Sequence, residues 1–154
     1  MSVRLVPMSE AAFAVWRERS VDDYAADRHA TGQWPPGEAL EMARGQFAAL
    51  LPHGRDTPGH DFWTIVEGDE DVGILWTGPE RGRPECWLVY DLWVAPDCRE
   101  RGVGRAALDA LDEEARRRGK RKLGLHVFGW NRVARRLYAR AGFVETDVTM
   151  EKVL

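Results

Sequence analysis

The chain has 154 residues, 44% of them apolar and 31% charged, which is enough for one hydrophobic core and too little for two of useful size. A formal net charge of −3 excludes a general field that would gather nucleic acid. Cys86 and Cys98 are the only cysteines, which excludes a disulfide framework, and no Cys/His cluster has metal-ligand spacing.

A single domain over residues 1–154 is therefore expected, without a metal. Met1 to Met8 lacks a leader's apolar run after a basic one, and no window approaches the roughly 18 apolar residues of a membrane span. The expected setting is soluble and cytoplasmic, with no membrane partner.

Ser2 to Val6 alternates and stops at Pro7, predicting a first strand. Ser9 caps a helix with Phe13 and Trp16 inward, and Ser20-Val21-Asp22-Asp23 reads as a second cap that restarts or bends it. Thr31 to Gly37 is a connection. Ala39, Met42, Ala43, Phe47 and Leu50 then form one helical stripe that ends at Pro52.

Three strands follow, at Phe62 to Val66, Val72 to Trp76 and Trp87 to Val94. They are separated by the turn Gly68-Asp69-Glu70-Asp71 and by Gly78-Pro79 through Arg83-Pro84, so they should be antiparallel. Val103, Ala107, Leu108, Leu111 and Ala115 predict a helix stopped by Gly119, and Leu123 to Phe128 a strand. Asn131 opens a last helix with Ala134, Leu137, Tyr138 and Ala141 on one face. Gly142 closes it, and Phe143 to Val153 is read as a final strand or hairpin.

The loop Pro96-Asp97-Cys98-Arg99-Glu100-Arg101-Gly102-Val103-Gly104 runs from a strand into a helix, so several backbone N–H groups should lack partners. Glycines at 102 and 104 permit positive φ or a close approach by phosphate oxygens, and Arg99, Arg101 and Arg105 add mobile charge. Hydrogen bonds to a charged group are worth about 1.5–3 kcal/mol each, so several could hold a pyrophosphate without a metal. The competing reading is a tight helix entry and nothing more. A dinucleotide fingerprint fits Gly102 to Ala107 but lacks a strand directly before it and an acid ending the next strand. A P-loop fails for want of Gly-Lys-Ser/Thr.

Taken with Asp91-Leu92-Trp93-Val94-Ala95-Pro96 and Asn131-x-x-Ala134-x-x-Leu137-Tyr138-x-x-x-Gly142-Phe143, this loop resembles the GNAT superfamily of acyl-CoA-dependent N-acetyltransferases, and the element order matches over nearly the whole chain. The resemblance implies a mixed α/β fold with a mostly antiparallel sheet, strands 4 and 5 splayed, and flanking helices. It implies acetyl-CoA as acyl donor, held by Leu92, Trp93, Val94, Arg99, Glu100, Arg101, Gly102, Val103, Gly104, Arg105, Asn131, Ala134 and Tyr138. Cys98 stands where an aromatic residue is common in that family.

The implied reaction is direct attack of a primary amine in a ternary complex. The backbone N–H of Leu92 or a neighbour is the candidate oxyanion donor. Tyr138 takes the position of the general acid that protonates the leaving thiolate. Asp91 is the first candidate base and His126 the alternative. Polyamine-type relatives have Glu-Asp where this chain has Tyr90-Asp91. Tyr24, Asp27, His29 and Trp34, from the N-terminal region least like the family, are expected to line the acceptor pocket.

Two other classes stay open on sequence alone. One is a CoA-binding regulatory module without transferase activity. The other is a nucleic-acid binder resting on Arg116-Arg117-Arg118-Gly119-Lys120-Arg121-Lys122, a run that a solvated helix end explains more simply. A possible homodimer is expected from an unpaired C-terminal strand.

Overall fold

The computed structural model describes residues 2–154. Strands β1 (Val3–Pro7), β2 (Asp61–Glu67), β3 (Glu70–Glu80), β4 (Arg83–Val94) and β5 (Lys122–Leu125) form one sheet in that order. Helices α1 (Glu10–Ala30), α2 (Ala39–Leu50), α3 (Val103–Arg117) and α4 (Arg132–Arg140) flank it. Every pairing is antiparallel except β4 with β5, and the parallel step is the one that needs a helical crossover, supplied by α3.

The sheet separates two apolar clusters. On one face Phe13, Trp16, Ala43, Phe47, Phe62 and Trp76 pack beneath α1 and α2. On the other, Ile65, Leu75, Trp87, Val89, Ala107 and Leu111 pack beneath α3. Helices α1, α2 and α3 lay apolar stripes at i, i+3/i+4 spacing on the sheet, burying Trp16 on α1 and Trp63, Trp76 and Trp87 on the strands.

Several elements differ from expectation. Helix α1 runs unbroken through Ser20, which is buried and used elsewhere, so the predicted second cap does not form. Strands β3 and β4 continue to a tight turn at Arg81–Gly82, shorter than the expected 78–84 connection. Strand β5 stops at Leu125 instead of Phe128, and residues 143–154 carry no strand.

The ladder also carries an irregularity that shapes the site. Trp76 pairs with Asp91 but Thr77 with Val89, leaving Tyr90 as an extra, bulged residue. The bulge breaks the alternation of side chains. Val89 packs toward α3, Tyr90 stacks on Trp76 at 4.5 Å on the α1/α2 face, and Asp91 stays on that same face. Leu92 and Val94 then pack toward α3, and Trp93 toward α1.

Candidate active site

Pairing between β4 and β5 covers only Cys86–Val89 against Lys122–Leu125. From the bulge onward, residues 90–94 run without β5 beside them, so backbone groups on that side face an open seam. This is the splay expected between strands 4 and 5, and the bulge marks where it begins.

Asp91 stands at the head of the seam. Trp16 donates its indole N–H to Asp91 Oδ2 at 2.9 Å and Ser20 its hydroxyl at 3.3 Å. Both bonds fall on one oxygen, and Oδ1 receives none from the described residues. Burial raises the Asp91 pKa above the ordinary carboxylate value, outweighing the Trp16 and Ser20 bonds and the Arg19 charge, which favour the ionised form. A carboxylate shifted in that direction is a better proton acceptor near neutral pH.

Tyr138 approaches from α4. Burial first, and the charge of Asp91 second, push its phenol up to about 12. The pair therefore sits close enough to interact electrostatically, and Tyr138 remains protonated at neutral pH. Its ring also meets Phe143 edge-on at 5.7 Å.

The loop after β4 makes a short 3-10 turn at Pro96–Cys98 and enters α3 through Gly102. Glu100 and Gly102 both have positive φ, 60° and 86°. The first backbone bond of α3 runs from Ala106 N–H to Gly102 O, so the N–H groups of Val103, Gly104 and Arg105 have no intrahelical acceptor. The N-cap residue Gly102 has no side chain to satisfy them. Three free donors at a helix start, under the positive end of the helix dipole, suit a diphosphate.

Gly104 also has a packing role. A Cβ there would meet Leu137 Cδ2 at 3.1 Å, so its glycine lets α4 pack on α3 and holds Tyr138 against the seam. Each of the three arginines has a partner within the chain. Arg99 donates to Val94 O at 2.9 Å, Arg101 pairs with Glu67 at 2.9 Å, and Arg105 bonds Asp109 at 3.0 Å and the Arg140 carbonyl at 2.5 Å. Asn131 is first a helix cap, its Oδ1 accepting from Ala134 N–H at 3.2 Å.

His126 lies beyond the end of β5, exposed, with its ring edge-on to Phe128 at 5.2 Å. It is not the strand residue facing the seam that the sequence predicts. Tyr24 and Trp34 do come together, edge-on at 5.5 Å, but Arg28 occupies their faces at 5.1 and 5.7 Å and reaches over Phe128 at 5.9 Å. His29 closes on the Trp34 carbonyl at 3.4 Å. Burial and the neighbouring Asp23 raise the pKa of Asp27.

Four contributors escaped the sequence reading: Trp16, Ser20, Arg19 and Arg28. The Arg19 guanidinium lies 3.8 Å over the Trp93 ring, with its Nη2 buried and unpartnered. A signal existed in the i, i+4 spacing of Trp16 and Ser20 and of Arg19 and Asp23, which lines one face of α1 with polar groups inside an apolar stripe. Two open hollows of about 610 and 660 Å³ lie elsewhere, and neither is lined by Asp91, Trp93 or Tyr138. An elongated ligand lying in a seam needs no closed cavity.

The basic run of residues 116–122 is largely engaged within the chain. Arg118 pairs with Glu114 at 2.7 Å and Asp61 at 2.9 Å and covers Trp87, Arg117 pairs with Glu114, and Lys120 donates to the Pro84 carbonyl.

Comparison with known proteins agrees with this geometry. The family model described as "Acetyltransferase (GNAT) family" matches residues 16–143. The uncharacterized N-acetyltransferase YycN of Bacillus subtilis (strain 168) is 39% identical over 157 residues, spanning 100% of both chains. The crystal structure of the putative acetyltransferase YycN from Bacillus subtilis superposes with a TM-score of 0.93 at 37% identity, covering 99% of each chain. An N-acetyltransferase from Thermoplasma acidophilum in complex with coenzyme A shares the fold, with a TM-score of 0.67 at 14% identity over 97% of this chain and 94% of its own. With the open seam, the bulged fourth strand and the uncapped start of α3 in place, the chain belongs to the GNAT family of acetyltransferases.

Proposed function

We propose that this chain, acting as one catalytic unit, transfers the acetyl group of acetyl-CoA to a primary amine by direct attack in a ternary complex. The observation that carries the proposal is that Asp91 of β4 heads the stretch of that strand left unpaired by β5, with Tyr138 of α4 near enough to feel its charge; burial first, and that charge second, raise the Tyr138 pKa.

The free N–H groups of Val103, Gly104 and Arg105 would bind the diphosphate of CoA, with Glu100 and Gly102 shaping the turn. Residues Leu92, Trp93 and Val94 offer unpaired backbone for the pantetheine arm. Arg99 must release the Val94 carbonyl for that edge to be fully available.

Asp91 Oδ1 takes a proton from the incoming ammonium, directly or through water, which frees the nitrogen lone pair. The amine nitrogen bonds to the thioester carbon, and the carbonyl electrons move to oxygen, where the Leu92 N–H donates to the oxyanion. As the oxyanion collapses, the C–S bond breaks and Tyr138 gives its proton to the departing sulfur. Its high pKa ensures that the phenolate regains a proton before the next turnover. His126 is the less favoured base because it lies outside β5. Asp27 and Asp23 would form an anionic approach for the amine, while Arg28 fills the Tyr24–Trp34 corner.

A thiol-release assay with acetyl-CoA across primary amines, run on the wild type and Tyr138→Phe, tests the proposal. We expect a kcat lower by about 10²–10⁴-fold in the variant with CoA affinity unchanged. Full turnover by Tyr138→Phe would refute the acid assignment. CoA binding without acetyl product from any amine would instead favour a CoA-binding module.

A further inference from the structure

We propose that Arg19 receives a carboxylate on the acetyl acceptor, so that the amine acetylated in this seam is that of a small amino acid. The inference rests on the acetyl-transfer reading of the seam and names the acceptor class it would take.

On α1, Trp16 and Ser20 bind Asp91 and Arg19 reaches Trp93, so all three point to one end of β4. The Arg19 guanidinium carbon lies 3.8 Å over the Trp93 ring. An arginine laid on an indole keeps its rim of N–H donors for a planar anion, and a carboxylate fits that rim two bonds at a time. Nη2 is buried without a hydrogen-bond partner, and a charged donor buried in that state is destabilising unless something accepts from it. Neither nearby carboxylate does so. Asp23, one helical turn on, is exposed, and Asp91 uses its Oδ2 for Trp16 and Ser20. Even so, the Arg19 charge acts on Asp91 toward the ionised form, against the larger effect of burial.

Arg19 and Asp91 are thus opposite charges that share one site without joining. A zwitterion satisfies both, its ammonium giving a proton to Asp91 Oδ1 while its carboxylate accepts from Nη2. Because the two groups are close, the ammonium and carboxylate must be close as well, which selects α- and β-amino acids over long-chain ones. A second ammonium in place of the carboxylate would be repelled by Arg19, and the negative charges of Asp23 and Asp27 oppose a dianionic phosphate more than a carboxylate. Arg28 is not available for the same part, since it donates to the Tyr24 hydroxyl at 3.0 and 2.8 Å and to Gln33. The carboxylate takes no part in bond making. The N–C bond forms and the C–S bond breaks as above, and the products are the N-acetyl amino acid and CoA.

Two measurements on the full chain test this. In one, acetyl-CoA turnover is read with α- and β-amino acids, each against its own carboxamide. In the other, the same pairs are titrated calorimetrically into protein saturated with CoA, where no acetyl group is transferred. The wild type should favour carboxylate over carboxamide by about 10–100-fold in kcat/KM and in affinity, the range of a charge-assisted contact. Arg19→Met should bring both ratios close to one. Taking the ratio removes any effect of the substitution on Asp91, which both acceptors meet. If Arg19→Met does not fold, Arg19→Lys, which keeps the charge but loses the fork, should lower both ratios several-fold. Carboxylate-selective binding that depends on Arg19, without acetyl product, would support the carboxylate site and fault the acetyl-transfer reading. Carboxamides used or bound as well as the acids, selectivity that survives Arg19→Met, or no binding of any amino acid would each overturn the proposal.

Discussion

Replacing Trp16 with Phe removes the indole donor from Asp91 while keeping an aromatic ring against Phe62 and Trp76, which lie 5.1 and 5.2 Å from Trp16. The lost bond is short, 2.9 Å, and ends on a carboxylate. Such bonds contribute about 1.5–3 kcal/mol to the charged form, and at about 1.4 kcal/mol per pKa unit the Asp91 pKa should rise by about 1–2 units. If the ionised form of Asp91 is the base, the acid limb of the kcat/KM profile moves to higher pH by that amount. Ser20→Ala should move it in the same direction by less, since the hydroxyl is 3.3 Å away. The assay is the pH dependence of acetyl-CoA turnover with any accepted amine. An acid limb that stays fixed in Trp16→Phe while the protein remains folded would refute Asp91 as the group that sets it.

Asp91→Asn should lose turnover by at least 100-fold. Its stability should respond to pH in a defined sense: because the folded pKa of Asp91 lies above its ordinary value near 3.8, the native state holds a proton the unfolded state has lost. The wild type is therefore penalised as pH rises through that interval and stays penalised above it. Thermal unfolding should show the Asn variant gaining on the wild type from acid to neutral pH, and a gap that shrinks instead would contradict this. Arg19→Met removes a positive charge that favours ionised Asp91, so the acid limb should again rise, with little change in melting temperature. An unmoved limb would separate Arg19 from the site. Gly102→Ala places a side chain where φ is 86°, a conformation costing about 1–2 kcal/mol. CoA affinity should fall about tenfold, as read by calorimetry, and unchanged affinity would show that the turn geometry does not matter for binding.

The family signature was legible because it is local. Gly102, Gly104, Asn131 and Tyr138 sit at fixed offsets along the chain, and the strand and helix periods around them are clean. What sequence could not show was any relation made across the fold. Ser20 looked like a helix cap because serine before an acidic pair often is one, but its hydroxyl is bound by a carboxylate 71 residues away, and a buried polar partner outweighs local cap preference. The bulge at Tyr90 has no marker in composition, since it appears only when β4 is set against β3. Phe143 to Val153 has a strand pattern, but a pattern does not form a ladder where no neighbour is within reach. Sequence likewise hides Glu67, Asp109 and the carbonyls that partner the arginines around Gly102.

The central claim is that main-chain nitrogens at the start of α3 bind a diphosphate. Parallel calorimetric titrations of CoA and of pantetheine, which lacks the diphosphate, into protein treated with a chelator test it most directly. The account predicts saturable one-to-one binding of CoA at least 100-fold tighter than pantetheine. CoA that gives no heat, or that binds no more tightly than pantetheine, would contradict it.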